Sequence, residues 1–155
     1  MKRVAVISSD ASLDLRSKVH TAGYAFWISL HSGPVKQYGR FNVIPRNVNQ
    51  AEIQSICNAL AVMLKEGIRP DKLIVYTDNK FTVDYYDHPI KNHWKYETKQ
   101  ALSMLNFLMD LVGAKEVEFK HIKGHKLKAG EEGTPLQMIN DWCDKMANKA
   151  RKGLV

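Results

Sequence analysis

The sequence predicts an α/β fold: a five-stranded mixed sheet, begun by an antiparallel hairpin and continued by parallel strands, with helices on its faces. Three observations predict it. Val4-Ala5-Val6-Ile7 and Leu73-Ile74-Val75-Tyr76-Thr77 are apolar runs of strand length, the mark of strands buried on both faces. Two runs rich in aromatic and β-branched residues flank the turn His31-Ser32-Gly33-Pro34. From residue 49 onward, segments of helical periodicity alternate with short strand runs.

Taken in order, Val4 to Ile7 is the first strand, Gly23 to Leu30 the second, and Val35 to Phe41 the third, returning antiparallel. Pro45 and Asn47 interrupt the pattern, and a helix follows with Asn49 as its expected N-cap. Ile53, Ile56, Cys57, Leu60, Met63 and Leu64 recur at helical spacing and form a face to bury against the sheet, while Gly67 and Pro70 end the helix. The fourth strand runs to Thr77, with Asp78 at its end. Phe81 to Tyr86 is a short helix before His88-Pro89, and Glu97 to Val112 is a long one with Ala101, Leu102, Leu105, Leu108, Met109 and Val112 on one side. Val117 to Ile122 is the fifth strand, a loop rich in Lys and Gly runs to about Pro135, and a last helix covers Leu136 to Arg151.

The 155 residues suit a single domain, residues 1–155, large enough to bury a core without disulfides. With 45% hydrophobic and 25% charged residues, collagen-like, wholly disordered and disulfide-scaffold classes are excluded. Cys57 and Cys143 are too few for a disulfide framework and are expected reduced and packed. No apolar run approaches a membrane span, and the apolar stretch after Met1-Lys2-Arg3 is too short for a signal peptide, so the expected compartment is the cytoplasm and no membrane is involved. Lys and Arg number 23 against 16 Asp and Glu, a net charge of +7 that favours a polyanionic partner.

Four carboxylates carry the chemistry. Asp10 follows the first strand, Glu52 lies in the first turn of the first long helix, Asp78 ends the fourth strand, and Asp144 lies on the last helix. Ligand sites in open α/β sheets gather at the carboxyl ends of parallel strands, so Asp10 and Asp78 are neighbours if the first and fourth strands pair in parallel. Taken singly, an Asp at a strand end is an ordinary turn former and a Glu at a helix start an ordinary complement to the helix dipole. Together they are a set of hard oxygen donors suited to Mg²⁺ or Mn²⁺ rather than zinc, and a basic surface around an acidic metal centre suits a nuclease.

These residues fall in motifs. Ser9-Asp10-Ala11-Ser12, Asn49-Gln50-Ala51-Glu52, Tyr76-Thr77-Asp78-Asn79, Lys123-Gly124-His125 and Asn140-Asp141-Trp142-Cys143-Asp144-Lys145-Met146-Ala147-Asn148-Lys149-Ala150 come in that order on the expected elements. The chain resembles the ribonuclease H family in its bacterial and retroviral form over residues 10 to 150. The resemblance implies a ribonuclease H-like fold, a metal-dependent endonuclease that hydrolyses the RNA strand of an RNA–DNA hybrid, and two Mg²⁺ ions, with Mn²⁺ as a substitute. It implies Asp10, Glu52, Asp78 and Asp144 as metal ligands, Asp10 bridging both ions, with Asp141 the fallback for Asp144. His125 matches a mobile histidine that assists proton transfer or product release.

Substrate contacts are expected from Asn47, Asn49 and Asn79, and from Lys91, Trp94 and Lys95 in the basic-aromatic segment 88–99, where cations hold phosphates and an aromatic packs on sugar. The charged stretch Leu13-Asp14-Leu15-Arg16-Ser17-Lys18-Val19-His20 replaces the family's frequent glycine-rich loop, and Val48 stands where relatives often carry a hydrogen-bonding residue. Hybrid is expected to be chosen by shape and 2′-hydroxyl contacts by a chain working as a monomer. Two other readings remain at this point: a related nuclease or strand-transfer enzyme of the same fold acting on DNA, and a non-catalytic hybrid-binding module.

Overall fold

The apolar run that opens the chain becomes the middle of the sheet. In the computed structural model, which describes residues 2–87, 96–122 and 133–154, the elements in chain order are β1 (Val4–Asp14), β2 (Thr21–Ser29), β3 (Val35–Arg40), α1 (Val48–Lys65), β4 (Lys72–Thr77), α2 (Lys80–Asp87), α3 (Tyr96–Val112), β5 (Glu116–His121) and α4 (Pro135–Arg151). The five strands lie in the order β3-β2-β1-β4-β5. β1 pairs antiparallel with β2 and parallel with β4, so the hairpin start and the parallel continuation share one mixed sheet.

Two expectations are corrected. β1 does not stop at Ile7: it runs to Asp14, and Asp10 lies inside the strand rather than after it. The apolar run marks only the part also paired with β4, Val4 to Ser8, whereas pairing with β2 continues from Asp10↔Ala25 to Asp14↔Thr21. The strand ends where Asp14 Oδ1 accepts from the backbone N–H of Arg16 at 2.9 Å and of Ser17 at 3.3 Å, a side-chain turn that replaces the ladder. The N-cap of α1 is Asn47, not Asn49: Asn47 has extended backbone and its Oδ1 accepts from Gln50 N at 2.8 Å. Pattern alone does not separate two asparagines two residues apart. The backbone conformation of the first does, because an N-cap must be non-helical.

Alternation along the strands sends successive residues to opposite faces. Ile7, Phe26, Ile28, Leu73 and Val75 pack against Ile53, Ile56, Leu60 and Met63 of α1 and Leu102 and Leu105 of α3. On the other face Ala25 meets Cys143 and Ala147 of α4, with Trp27, Trp142 and Met146 around them. Trp27 and Trp142 make an edge contact at 5.4 Å, and the Lys36 ammonium lies 4.4 Å from the Trp27 ring centroid. A Thr134–Gln137 capping box starts α4.

α4 approaches the sheet most closely at Gly23. A Cβ there would stand 2.4 Å from Ala147 O and 2.5 Å from Arg151 N. Gly23→Ala therefore forces the helix off the strand. The expected cost is about 1–3 kcal/mol, as for other overpacked positions. It should appear as a lower denaturation midpoint at unchanged m-value, and an unaltered midpoint would show that α4 yields freely. Among the described residues, no helix is long and apolar enough to cross a membrane.

Candidate active site

Sheet register brings the first two carboxylates together. Ser8 pairs with Tyr76 across the parallel β1–β4 edge. Two residues further along each strand stand Asp10 and Asp78. Glu52 joins them from the second turn of α1, not the first as expected, because the helix starts at Val48 rather than after Asn49; the Ser55 hydroxyl, three residues on, donates to the Asp10 carbonyl at 3.0 Å and so seats α1 on β1. Asp10, Glu52 and Asp78 each offer a carboxylate oxygen within 4.8 Å of the other two. Asp10 and Glu52 are both 5% exposed, while Asp78 is half-buried and opens the cluster to solvent.

The electrostatics follow from that crowding. Burial, then the charges of Asp78 and Asp144, push Asp10 up from 3.8 to about 8. Burial first, then Asp10 and Asp78, holds Glu52 well above the usual carboxylate range. The two carboxyls act on each other, and burial keeps both raised. Asp78 is raised by burial and by Asp144, with His121 acting in the opposite direction. Asp144 is thus near enough to act on both Asp10 and Asp78, whereas Asp141 pairs with Lys145 at 2.6 Å one turn along the helix. Cys143 lies beneath the cluster. Its thiol donates to Ser8 O at 3.5 Å, and burial followed by the charges of Asp10, Asp144 and Glu52 pushes its pKa up, so it is an inert packing residue.

These residues fit a hard divalent cation. The donor set is oxygen only, mutual repulsion is what a cation relieves, and the buried Glu52 Oε2 has no hydrogen-bond partner among the described residues.

A polar rim lies beside the carboxylates. Asn79 follows Asp78, and its Nδ2 donates to Asn49 Oδ1 at 2.9 Å. Its Oδ1 accepts from Thr82 N at 2.9 Å and Thr82 Oγ1 at 2.6 Å, fixing the start of α2. The sequence-predicted Asn49 and Asn79 are therefore joined, and Asn47 holds the helix end beneath them. His125, Lys91, Trp94 and Lys95 lie outside the described residues. His121 carries no motif, yet its Nε2 stands 3.1 Å from the Asp78 carbonyl oxygen. The pairing of Thr77 with His121 puts it there, and only the β4–β5 register reveals it.

Comparison with known proteins agrees with this architecture. No curated protein matches the chain. Among solved structures, the N-terminal RNase H domain of a Mycobacterium tuberculosis protein, studied as a maltose-binding protein fusion, is 17% identical with a TM-score of 0.72, over 98% of this chain and 96% of that one. RNase H1 from the halophilic archaeon Halobacterium salinarum is 16% identical with a TM-score of 0.68, over 97% and 98%. LC11-RNase H1, solved in complex with an RNA/DNA hybrid, is 15% identical with a TM-score of 0.70, over 96% and 97%. At such identities these likenesses show the fold. A sequence profile of the family described as RNase H matches residues 2–152. The chain belongs to the ribonuclease H family.

Proposed function

We propose that the protein is a metal-dependent endonuclease that hydrolyses the RNA strand of RNA–DNA hybrids. The observation that carries this reading is the oxygen-only cluster of Asp10, Glu52 and Asp78, within 4.8 Å of one another, in a chain of this family. Asp10, Glu52, Asp78 and Asp144 would hold two Mg²⁺ ions, or Mn²⁺ in their place. Bound there, such ions supply an activated water for in-line attack on the phosphodiester and stabilise the departing 3′-oxygen. The residues themselves do the rest. Buried Asp10 and Glu52 make a low-dielectric floor on which charge is strongly felt. Asn49, locked in place by the Asn79 amide behind it, would present its amide nitrogen to the 2′-hydroxyls and sugar edges that distinguish hybrid from DNA duplex, with the remaining Asn79 N–H beside it. Lys91, Trp94 and Lys95 would hold the backbone. His125 would move a proton or help product leave.

The test is an end-labelled RNA–DNA hybrid incubated with the protein and Mg²⁺, Mn²⁺ or EDTA, beside single-stranded RNA, duplex RNA and duplex DNA. Internal cuts confined to the RNA of the hybrid, and lost with EDTA, are expected. Tight hybrid binding without cuts under any metal would make the chain a binding module, and cuts in duplex DNA would place it on another branch of the fold. His125→Ala is expected to slow turnover without abolishing it, in multiple-turnover assays at saturating hybrid. Complete loss would mean that His125 does more than assist. With a net charge of +7, hybrid binding should weaken steeply with salt.

A further inference from the structure

A chain of hydrogen bonds joins the two elements that bring Asp10 and Asp144 to the site from opposite sides. Ser12 lies two residues beyond Asp10 on the same face of β1. Its hydroxyl donates to Asn148 Oδ1 at 2.6 Å. Asn148 lies one turn after Asp144 on α4, and its Nδ2 donates back to the Asp144 carbonyl at 3.1 Å. Arg151, a further turn along, donates from Nε to Ser12 Oγ at 2.7 Å and approaches Asp14 with Nη1 at 3.7 Å. Both polar groups of the Asn148 amide are thus used, one on the strand of Asp10 and one on the helix turn of Asp144.

We propose that Asn148, held by Ser12, which Arg151 holds in turn, is a positioning residue that sets the spacing of Asp144 against Asp10 and thereby the affinity of the site for divalent cation. This rests on the reading of those carboxylates as cation ligands. The physical argument is reach. A carboxylate on a helix packed across a sheet changes its distance to a strand carboxylate whenever the helix slides or turns. Apolar contacts such as Ala147 on Ala25 resist separation but resist sliding poorly, because they are not directional. A polar clamp in which Asn148 and Arg151 of the helix both bond Ser12 of the strand defines the helix in both senses. The clamp is distinct from what keeps α4 seated. The last turn is held separately by Arg40, whose Nε and Nη2 donate to the carbonyls of Ala150 at 3.1 Å and Arg151 at 3.0 Å. Loss of the Asn148 amide should therefore leave α4 on the sheet while loosening its register.

The experiment measures Mn²⁺ binding to the full chain without nucleic acid, by calorimetry or by the loss of free-ion resonance signal, together with thermal denaturation. The variants are Asn148→Ala, Ser12→Ala, Ser12→Thr and Asp10→Asn. Asn148→Ala and Ser12→Ala are expected to weaken Mn²⁺ binding by about 10-fold or more, the usual size of a supporting-residue effect, while retaining a cooperative melt. Ser12→Thr keeps the hydroxyl and should bind as the parent does. In hybrid cleavage, Asn148→Ala should need more Mn²⁺ for half-maximal rate and recover rate at saturating Mn²⁺. Parental Mn²⁺ affinity in both alanine variants, beside lost affinity in Asp10→Asn, would overturn the positioning role and leave the metal site standing. Parental affinity in Asp10→Asn itself would instead overturn the ligand reading, and this proposal with it. A lower melting temperature at unchanged Mn²⁺ affinity would assign the clamp to stability alone.

Discussion

Asp78→Asn is expected to abolish cleavage of RNA–DNA hybrid, by about 10³-fold or more, and to leave the fold intact. The size follows from removing a cation ligand, and with it the positive charge that would stabilise the reacting phosphate in a partly water-excluded site. Folding should survive because Asp78 is only half-buried, sits at the end of β4, and is already disfavoured in its ionised form by burial and by Asp144. The amide keeps the shape and removes the repulsion. The measurement is single-turnover cleavage of labelled hybrid at saturating enzyme and metal, with denaturation of the variant alongside. Turnover at the parental rate would remove Asp78 from the site.

Asp10→Asn is expected to move activity and stability in opposite directions. Cleavage should again be lost, yet the metal-free variant should be the more stable protein at pH 8. The sign follows from the raised carboxyl. Asp10 titrates near 3.8 in an unfolded chain and at about 8 in the folded one. Between these values the folded state holds a proton that the unfolded state has released. Stability of the metal-free protein therefore declines as pH rises from about 4 toward about 8 and stays low above that. Glu52, raised by the same burial, adds in the same direction. Each pKa unit is worth about 1.4 kcal/mol, so the effect is on the order of a few kcal/mol. Asn carries no charge and escapes it, and its oxygen still accepts from the Ala11 N–H, bonded at 2.9 Å in the parent.

Urea titrations at pH 5 and pH 8 check this. The parent should lose midpoint between the two, and the variant should lose less. Equal losses would show that Asp10 is solvated and ordinary. Adding Mn²⁺ should flatten the parent's pH dependence, because the ion binds the ionised carboxylates and releases protons as it does so.

Much of the architecture was legible in the residues. Strand runs such as Leu73 to Thr77 announce themselves because both faces of a central strand must be apolar. The face of α1 is readable from Ile53, Ile56, Leu60 and Met63 because one sheet surface imposes one periodicity. The carboxylates were legible as members of motifs, each on its own element. What escaped were features without periodicity. The extension of β1 to Asp14 is a one-sided pairing with β2, where polar residues are tolerated. The N-cap at Asn47 depends on backbone dihedrals that two nearby asparagines do not advertise. The place of His121 beside Asp78 depends on the pairing of β4 with β5.

The sequence by itself determined the fold class, the order of elements and the family to which the chain belongs, because periodicity and motif order are local properties read along one chain. The tertiary structure alone decided that Asp10, Glu52 and Asp78 converge within 4.8 Å. It also decided that Asp144 acts on Asp10 and Asp78, and that Asn148 ties α4 to β1 through Ser12. Each of these is a distance between residues far apart in sequence, set by strand register and helix seating. Such distances decide how far burial and mutual repulsion raise these carboxyls, which is not a property of any residue taken alone.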